Sequence, residues 1–251
     1  MTVEELALQQ EEFINTIIGE FSSEFDTVFE KAKASMTVYV ANGGDALAAD
    51  AYWIKSLSDA GYYTLVNKFI NEDFDTIYTH VREAFDAAGM PINLSNESLS
   101  QIIGLKQLDI DYFNSLALES AQSIRSNLYK YTLSNMSVDG MISQISADLE
   151  GTSLKRYSTT YALTSITDFQ QGVINVASQD VEDVEEFAGW VYVGVLDGKT
   201  RPFCRHILEQ NKVLTQEEKV TLESDAQRAY NCRHTFHPIS KEQAEEQGYE
   251  S

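Results

Sequence analysis

Basic residues are scarce in this chain. Its 251 residues include 18 lysines and arginines against 39 aspartates and glutamates, a formal net charge of −21. A surface of that sign repels nucleic acid and anionic membranes at long range, so DNA binding along the whole chain is set aside. Cysteine is nearly missing. Two cysteines in the whole chain do not make the disulfide framework of a secreted scaffold. The opening MTVEELALQQEEF carries acids where a signal peptide needs basic residues and then an apolar stretch. Together these features set the expectation of a protein made and kept in a cytosol. No apolar run approaches the roughly 20 residues of a bilayer crossing, so no membrane partner is expected. Only three prolines occur, Pro91, Pro202 and Pro238, which leaves long helices free to run.

Material for a core is plentiful: 43 % of the residues are apolar, with 13 tyrosines and 12 phenylalanines. Up to about residue 180 the chain reads as helix after helix. Leu6, Leu8, Phe13, Ile14, Ile17 and Phe21 recur at near-helical spacing behind an acidic first turn, which suits the positive end of a helix dipole. A second helix is expected from a cap at Ser22 or Ser23 to the stop at Gly43-Gly44. Residues 45–89 suggest two helices broken near Asp59 to Gly61, followed by the turn-like MPINLSN. Residues 98–135 suggest one short and one long helix. SVDGMISQISADLEG suggests a short helix capped by Ser137, and residues 152–178 a helix rich in Thr and Ser on one side.

The texture changes after the acidic run QDVEDVEEFAG. WVYVGVLD is β-branched and aromatic, the first good strand signal. RPFCRHILEQNK opens with Pro202 in a helical first turn, and Thr215 with Glu218 stands at capping-box spacing. CRHTFHPI reads as a second short strand stopped by Pro238, and the tail SKEQAEEQGYES as a charged helix or frayed end. The expected fold is therefore mainly α: an extended helical N-terminal body over 1–180 and a small C-terminal α+β module over 181–251. Charge follows the same division. Trp190 to Ser240 holds seven basic and six acidic residues, a net of +1, so the remainder carries −22. A local phosphate contact is compatible with that near-neutral island.

Both cysteines and three of the four histidines fall within 34 positions of this module. On a strand, Cys232, His234 and Phe236 share one face and His237 takes the other. On a helix, Cys204 and His206 do not converge; they can do so only if that stretch is still loop, which the preceding Pro202 permits. Structural zinc is the leading chemical reading, with Cys204, Cys232 and His234 as ligands and His206 or His237 as the fourth, because tetrahedral ligation stabilises a module with little core. The spacing lacks the paired C-x-x-C knuckles of standard zinc modules. A Cys204–Cys232 disulfide and a thiolate or metal-nuclease site are the other chemical readings. The plain reading makes both cysteines small buried apolar residues and the histidines a polar surface. Outside the cluster, His80 and Asp168 read as ordinary helix positions and Trp53 as core.

The stretch WVYVGVLDGKTRPFCRHILEQ … NCRHTFHPI resembles the C-terminal module of the phage head-morphogenesis family, the minor capsid proteins similar to the F protein of phage Mu. That pattern is an aromatic-rich strand, then D-x-x-T-x-x-x-C, a spacer, and a closing N-C-R. The matching positions are Trp190, Asp197, Thr200, Cys204, Asn231, Cys232 and Arg233. Thr160 and Gly172 are looser counterparts in the preceding helix, and the resemblance covers about 152–240. Many members carry further cysteines where this chain has His206 and His234. A Cys-to-His change at a ligand position keeps zinc possible. The resemblance implies a low-copy virion protein in the capsid interior or at the portal vertex of a tailed phage, present in the host cytoplasm during assembly. It implies the portal protein and the major capsid or scaffold protein as partners, with packaged DNA touched at most locally, and no enzyme activity. The competing expectation is a metal-dependent nuclease or toxin-like enzyme built on the Cys/His module.

Overall fold

A computed structural model describes residues 3–180, 185–224 and 234–249. The chain is mainly helical, with a small two-stranded antiparallel sheet near its C-terminus. In chain order the helices are α1 (Val3–Ala41), α2 (Ala49–Ala60), α3 (Tyr62–Lys68), α4 (Phe74–Ala87), α5 (Asn96–Leu133), α6 (Val138–Glu150) and α7 (Ser153–Ala177). Strand β1 (Phe187–Val193), helices α8 (Pro202–Glu209) and α9 (Gln216–Ser224), strand β2 (Thr235–Ser240) and α10 (Lys241–Gln247) follow. No helix among the described residues is long and apolar enough to cross a membrane.

Two expected helix breaks do not occur. The first two segments form one helix, α1, because the apolar positions keep phase through Ser22-Ser23. Ile14, Ile17, Phe21, Phe25, Val28 and Phe29 are all buried at spacings of three or four, and a continuous apolar stripe outweighs a local cap signal. The stop at Gly43-Gly44 is where it was expected: Gly43 adopts φ +72 and Gly44 N–H reaches Tyr39 O at 2.9 Å, a left-handed close that glycine takes without a Cβ clash. Likewise α5 is one helix of 38 residues through Gly104. The break at Gly61 is real. Its φ of +99 ends α2 and starts α3.

Contacts divide the chain into two units, and the division does not fall at 180–189. One unit comprises Ile17–Glu72 and Gln107–Ala162. Its core is aromatic: Phe21 lies 4.7 Å from Phe69 and 5.7 Å from Phe113, while Trp53 packs edge-on to Phe29 and donates its indole N–H to Ser120 at 2.8 Å. The other unit comprises Met1–Thr16, Asp73–Lys106 and Leu163–Ser251. The C-terminal segment expected as a separate module thus shares its unit with α4 and the end of α7. Gln171 of α7 accepts the backbone N–H of Phe236 at 3.2 Å, and Gln243 of α10 donates to Ala87 O at 2.8 Å. Of the Thr and Ser residues of α7, Ser158, Thr164, Ser165 and Thr167 are buried while Thr160 is exposed.

The sheet carries the candidate site. β1 pairs with β2 in the register Trp190↔Pro238, Tyr192↔Phe236 and Val193↔Thr235. The second strand runs through Pro238 rather than stopping there. Trp190 exchanges both backbone hydrogen bonds with Leu214, at 2.8 and 2.7 Å, so its groups face away from β2. The missing N–H of Pro238 therefore costs the ladder nothing. Gly189 forms the bulge before Trp190, at φ +151. A Cβ there would stand 2.5 Å from Leu214 O, so this close backbone approach requires glycine.

Candidate functional site

Cross-strand partners share a face, which sorts the site residues. On one face lie Trp190, Tyr192, Phe236 and Pro238, with His234 just before β2. On the other lie Val191, Val193, Thr235 and His237, packed with the apolar cluster of Val213, Ile239 and Ala244. The split expected from the period of two, His234 with Phe236 and His237 opposite, is what the strand shows.

The D-x-x-T-x-x-x-C segment is a closed turn that launches a helix. Thr200 Oγ1 donates to Val195 O at 2.8 Å and accepts the Asp197 N–H at 2.9 Å. Asp197 Oδ1 accepts the Lys199 N–H at 2.8 Å, and Arg205 Nη2 donates to Asp197 O at 2.8 Å. Such Asx and Thr bonds imitate backbone turns and fix the chain direction. Pro202 then occupies the first turn of α8, where its fixed φ and missing N–H fit. This places Cys204 on the inner side of α8, 1 % exposed. The Tyr192 hydroxyl approaches its Sγ at 3.4 Å.

Tyr192 joins the pieces. Its ring stacks on His234 at 5.7 Å and meets Phe236 at 4.7 Å. His234 Nε2 lies 3.0 Å from Val195 O, so that nitrogen carries the proton and donates to the carbonyl that Thr200 also uses. Cys204 and His234 are thus neighbours of one tyrosine. His206 is exposed on α8, two residues from Cys204 and turned away from it, with its Nε2 beside the Gln210 amide at 3.1 Å. His237, on the opposite sheet face, holds Thr235 Oγ1 at 3.0 Å. It is 1 % exposed, and burial among apolar groups drives its pKa down to about 4, the direction expected when the charged form loses its solvent.

Among the described residues no group of three or more His, Cys, Asp or Glu side chains is placed to hold a metal ion. Cys232, Asn231 and Arg233 lie outside the described residues. Of the expected zinc ligands that are described, only Cys204 and His234 are brought together, through Tyr192. His206 and His237 point elsewhere because α8 begins before Cys204 and β2 alternates its faces. The described residues alone therefore do not fit a four-ligand zinc site.

A second cluster was not foreseen. Lys219 of α9 is 1 % exposed. Its ammonium lies 4.5 Å from the Trp190 ring centre and 5.7 Å from that of Phe236. It pairs with Glu223 at 3.0 Å and bonds Asn175 of α7. The Trp190 indole N–H donates to Gln216 Oε1 at 2.7 Å. The capping box that starts α9 was legible: Thr215 and Glu218 exchange bonds at 3.2 and 2.9 Å. Which lysine that helix would bury was not, since nothing in QEEKVTLES marks one charge as interior. Of the looser counterparts on α7, Gly172 leaves room for Leu105, whose Cδ1 would lie 2.6 Å from a Cβ there.

Comparison with family models, with curated proteins and with solved structures finds no match.

Proposed function

We propose that this chain is a structural and assembly protein of a tailed-bacteriophage head, a minor head protein working at the portal vertex in head morphogenesis or DNA retention. The observation that carries the reading is the Asp197–Thr200 turn with Cys204. The four described motif positions, Trp190, Asp197, Thr200 and Cys204, each have a hydrogen-bonding or packing task. Thr200 and Asp197 tie the turn, Cys204 packs under Tyr192, and Trp190 seats Lys219. A surface of net charge −21 also suits a protein that must sit beside packaged DNA without adhering to it. Its partners in this reading are the portal protein and the major capsid or scaffold protein.

The reading is tested by co-expression with portal and capsid subunits of the same phage, followed by purification of procapsids and virions. Co-purification supports it. Absence from both particles, with no binding to either subunit, removes it. Incubation with plasmid DNA and divalent metals tests the enzyme alternative: cleavage lost in Cys232→Ala and His234→Ala would favour a nuclease. Metal analysis of protein purified without chelator tests zinc: one zinc per chain, lost in Cys204→Ser, supports the ligand reading, and metal-free protein with two titratable thiols and stability unchanged on adding zinc ends it.

A further inference from the structure

Where β1 ends, the chain borders a groove of about 310 Å3, separate from the Asp197–Thr200 turn. Its lining includes Leu8 of α1, Gly194 and Leu196 of the run leaving β1, Ile207 and Leu208 of α8, and Lys212. The volume lies in the range of ordinary binding clefts, and the lining is largely apolar with one charged group, the usual make-up of such a cleft. Leu8 is 50 % exposed and Leu196 53 %, so two large apolar side chains meet water at the same concavity.

The backbone of Gly194–Leu196, which continues β1 beyond its last paired residue, alternates satisfied and open hydrogen-bonding groups. The Val195 carbonyl turns into the protein and takes bonds from both Thr200 and His234. The N–H and C=O groups of Gly194 and Leu196, on either side of it, have no hydrogen-bond partner among the described residues. Alternation of satisfied and open backbone groups along such a run is what an added strand completes. Charge then selects the occupant. From Leu196 to Lys212 the chain carries Lys199, Arg201, Arg205 and Lys212 against Asp197 and Glu209, a net of +2 within a chain of −21. An adjoining concavity of about 410 Å3 shares Leu8 and Val195 but is lined by Glu11 and Glu12. A carboxylate is thus favoured beside Lys212 and repelled beside Glu11 and Glu12. Lys212 already bonds Glu218 at 2.6 Å, and its ammonium has further donors to offer.

We propose that this groove takes an extended peptide segment of a partner protein by strand addition. The segment is apolar where it meets Leu8, Leu196 and Ile207, pairs through its backbone with Gly194 and Leu196, and bears an acidic side chain on the Lys212 side. This goes beyond the assembly reading and does not rest on it, because binding is measured on the purified chain alone. The probes are fluorescein-labelled octapeptides of alternating valine and threonine with two aspartates at one or the other end. Lysine-for-aspartate and backbone N-methylated versions serve as controls. Fluorescence anisotropy should show saturable micromolar binding of one aspartate peptide, at least ten-fold weaker binding of its lysine twin, and none of the N-methylated form. Leu196→Asp should weaken binding at least ten-fold with an unchanged circular dichroism melt. Lys212→Ala should abolish the preference for aspartate over lysine. If no peptide binds, if the charge twins bind equally, or if Leu196→Asp leaves binding intact, the proposal is overturned, whatever the outcome of the portal experiments.

Discussion

The ammonium of Lys219 lies 4.5 Å from the centre of the Trp190 ring, fully covered and held by Glu223 and Asn175. A charge so placed is stabilised by its pair, by the ring quadrupole and by the amide together. Removing it takes the cation away from Glu223, which keeps the Asn175 amide at 3.5 Å, and opens a cavity. Lys219→Ala is expected to cost roughly 3–5 kcal/mol, the range for breaking a buried ion pair. Lys219→Met, which refills the space, should cost less. Urea unfolding followed by tryptophan fluorescence measures both. Equal stability of Lys219→Ala and the parent would show that the cluster contributes nothing.

Stability should fall between pH 6.5 and pH 4 through His237. Its folded-state pKa is lowered to about 4, below the ordinary 6.5, so over that window the unfolded chain binds a proton that the folded chain refuses. The stabilisation is complete above pH 6.5 and lost as pH falls toward 4, where the slope levels. A shift of that size corresponds to roughly 3 kcal/mol. His237→Gln, which keeps a hydrogen-bonding group for Thr235, should flatten this part of the profile in pH-dependent chemical melts. An unchanged slope would assign the acid sensitivity to other groups.

The Thr200 hydroxyl both donates and accepts inside its turn, to Val195 O and from Asp197 N–H. Thr200→Val keeps the shape and removes both bonds, so a loss of about 1–3 kcal/mol is expected, while Thr200→Ser should retain most of the stability. Amide exchange at Asp197 separates the two. It should quicken in the valine variant and stay slow in the serine variant.

Gly189→Ala should be among the most damaging small substitutions in the chain. The new Cβ would meet Leu214 O at 2.5 Å on a backbone at φ +151. Relief requires parting the Trp190–Leu214 bridge, at a cost of roughly 2–4 kcal/mol. A lowered melting temperature and a red-shifted tryptophan emission are the expected readouts. A native melt would show that the bulge relaxes.

The sequence by itself determined the elements whose signals are local. The strand character of 190–193, the capping box of Thr215 and Glu218, the cap at Ser137, the stop at Gly43-Gly44 and the turn at Gly61 all depend on neighbours within a few residues. The opposition of His234 and His237 was likewise legible, because strand period alone sets it. Whether α1 and α5 would run unbroken was not, since a buried stripe overrides a serine cap or a lone glycine only once a partner exists to bury it. The passage of β2 through Pro238 depends on Leu214 pairing with Trp190 from the other side, 24 residues away in the chain. Only tertiary packing decided that Cys204 and His234 meet around Tyr192 while His206 faces water. Tertiary packing also decided that Lys219, and no other lysine of this acidic chain, is enclosed by Trp190 and Phe236. Burial of a charge is a property of the surrounding walls, and those walls come from α7, α9 and both strands at once.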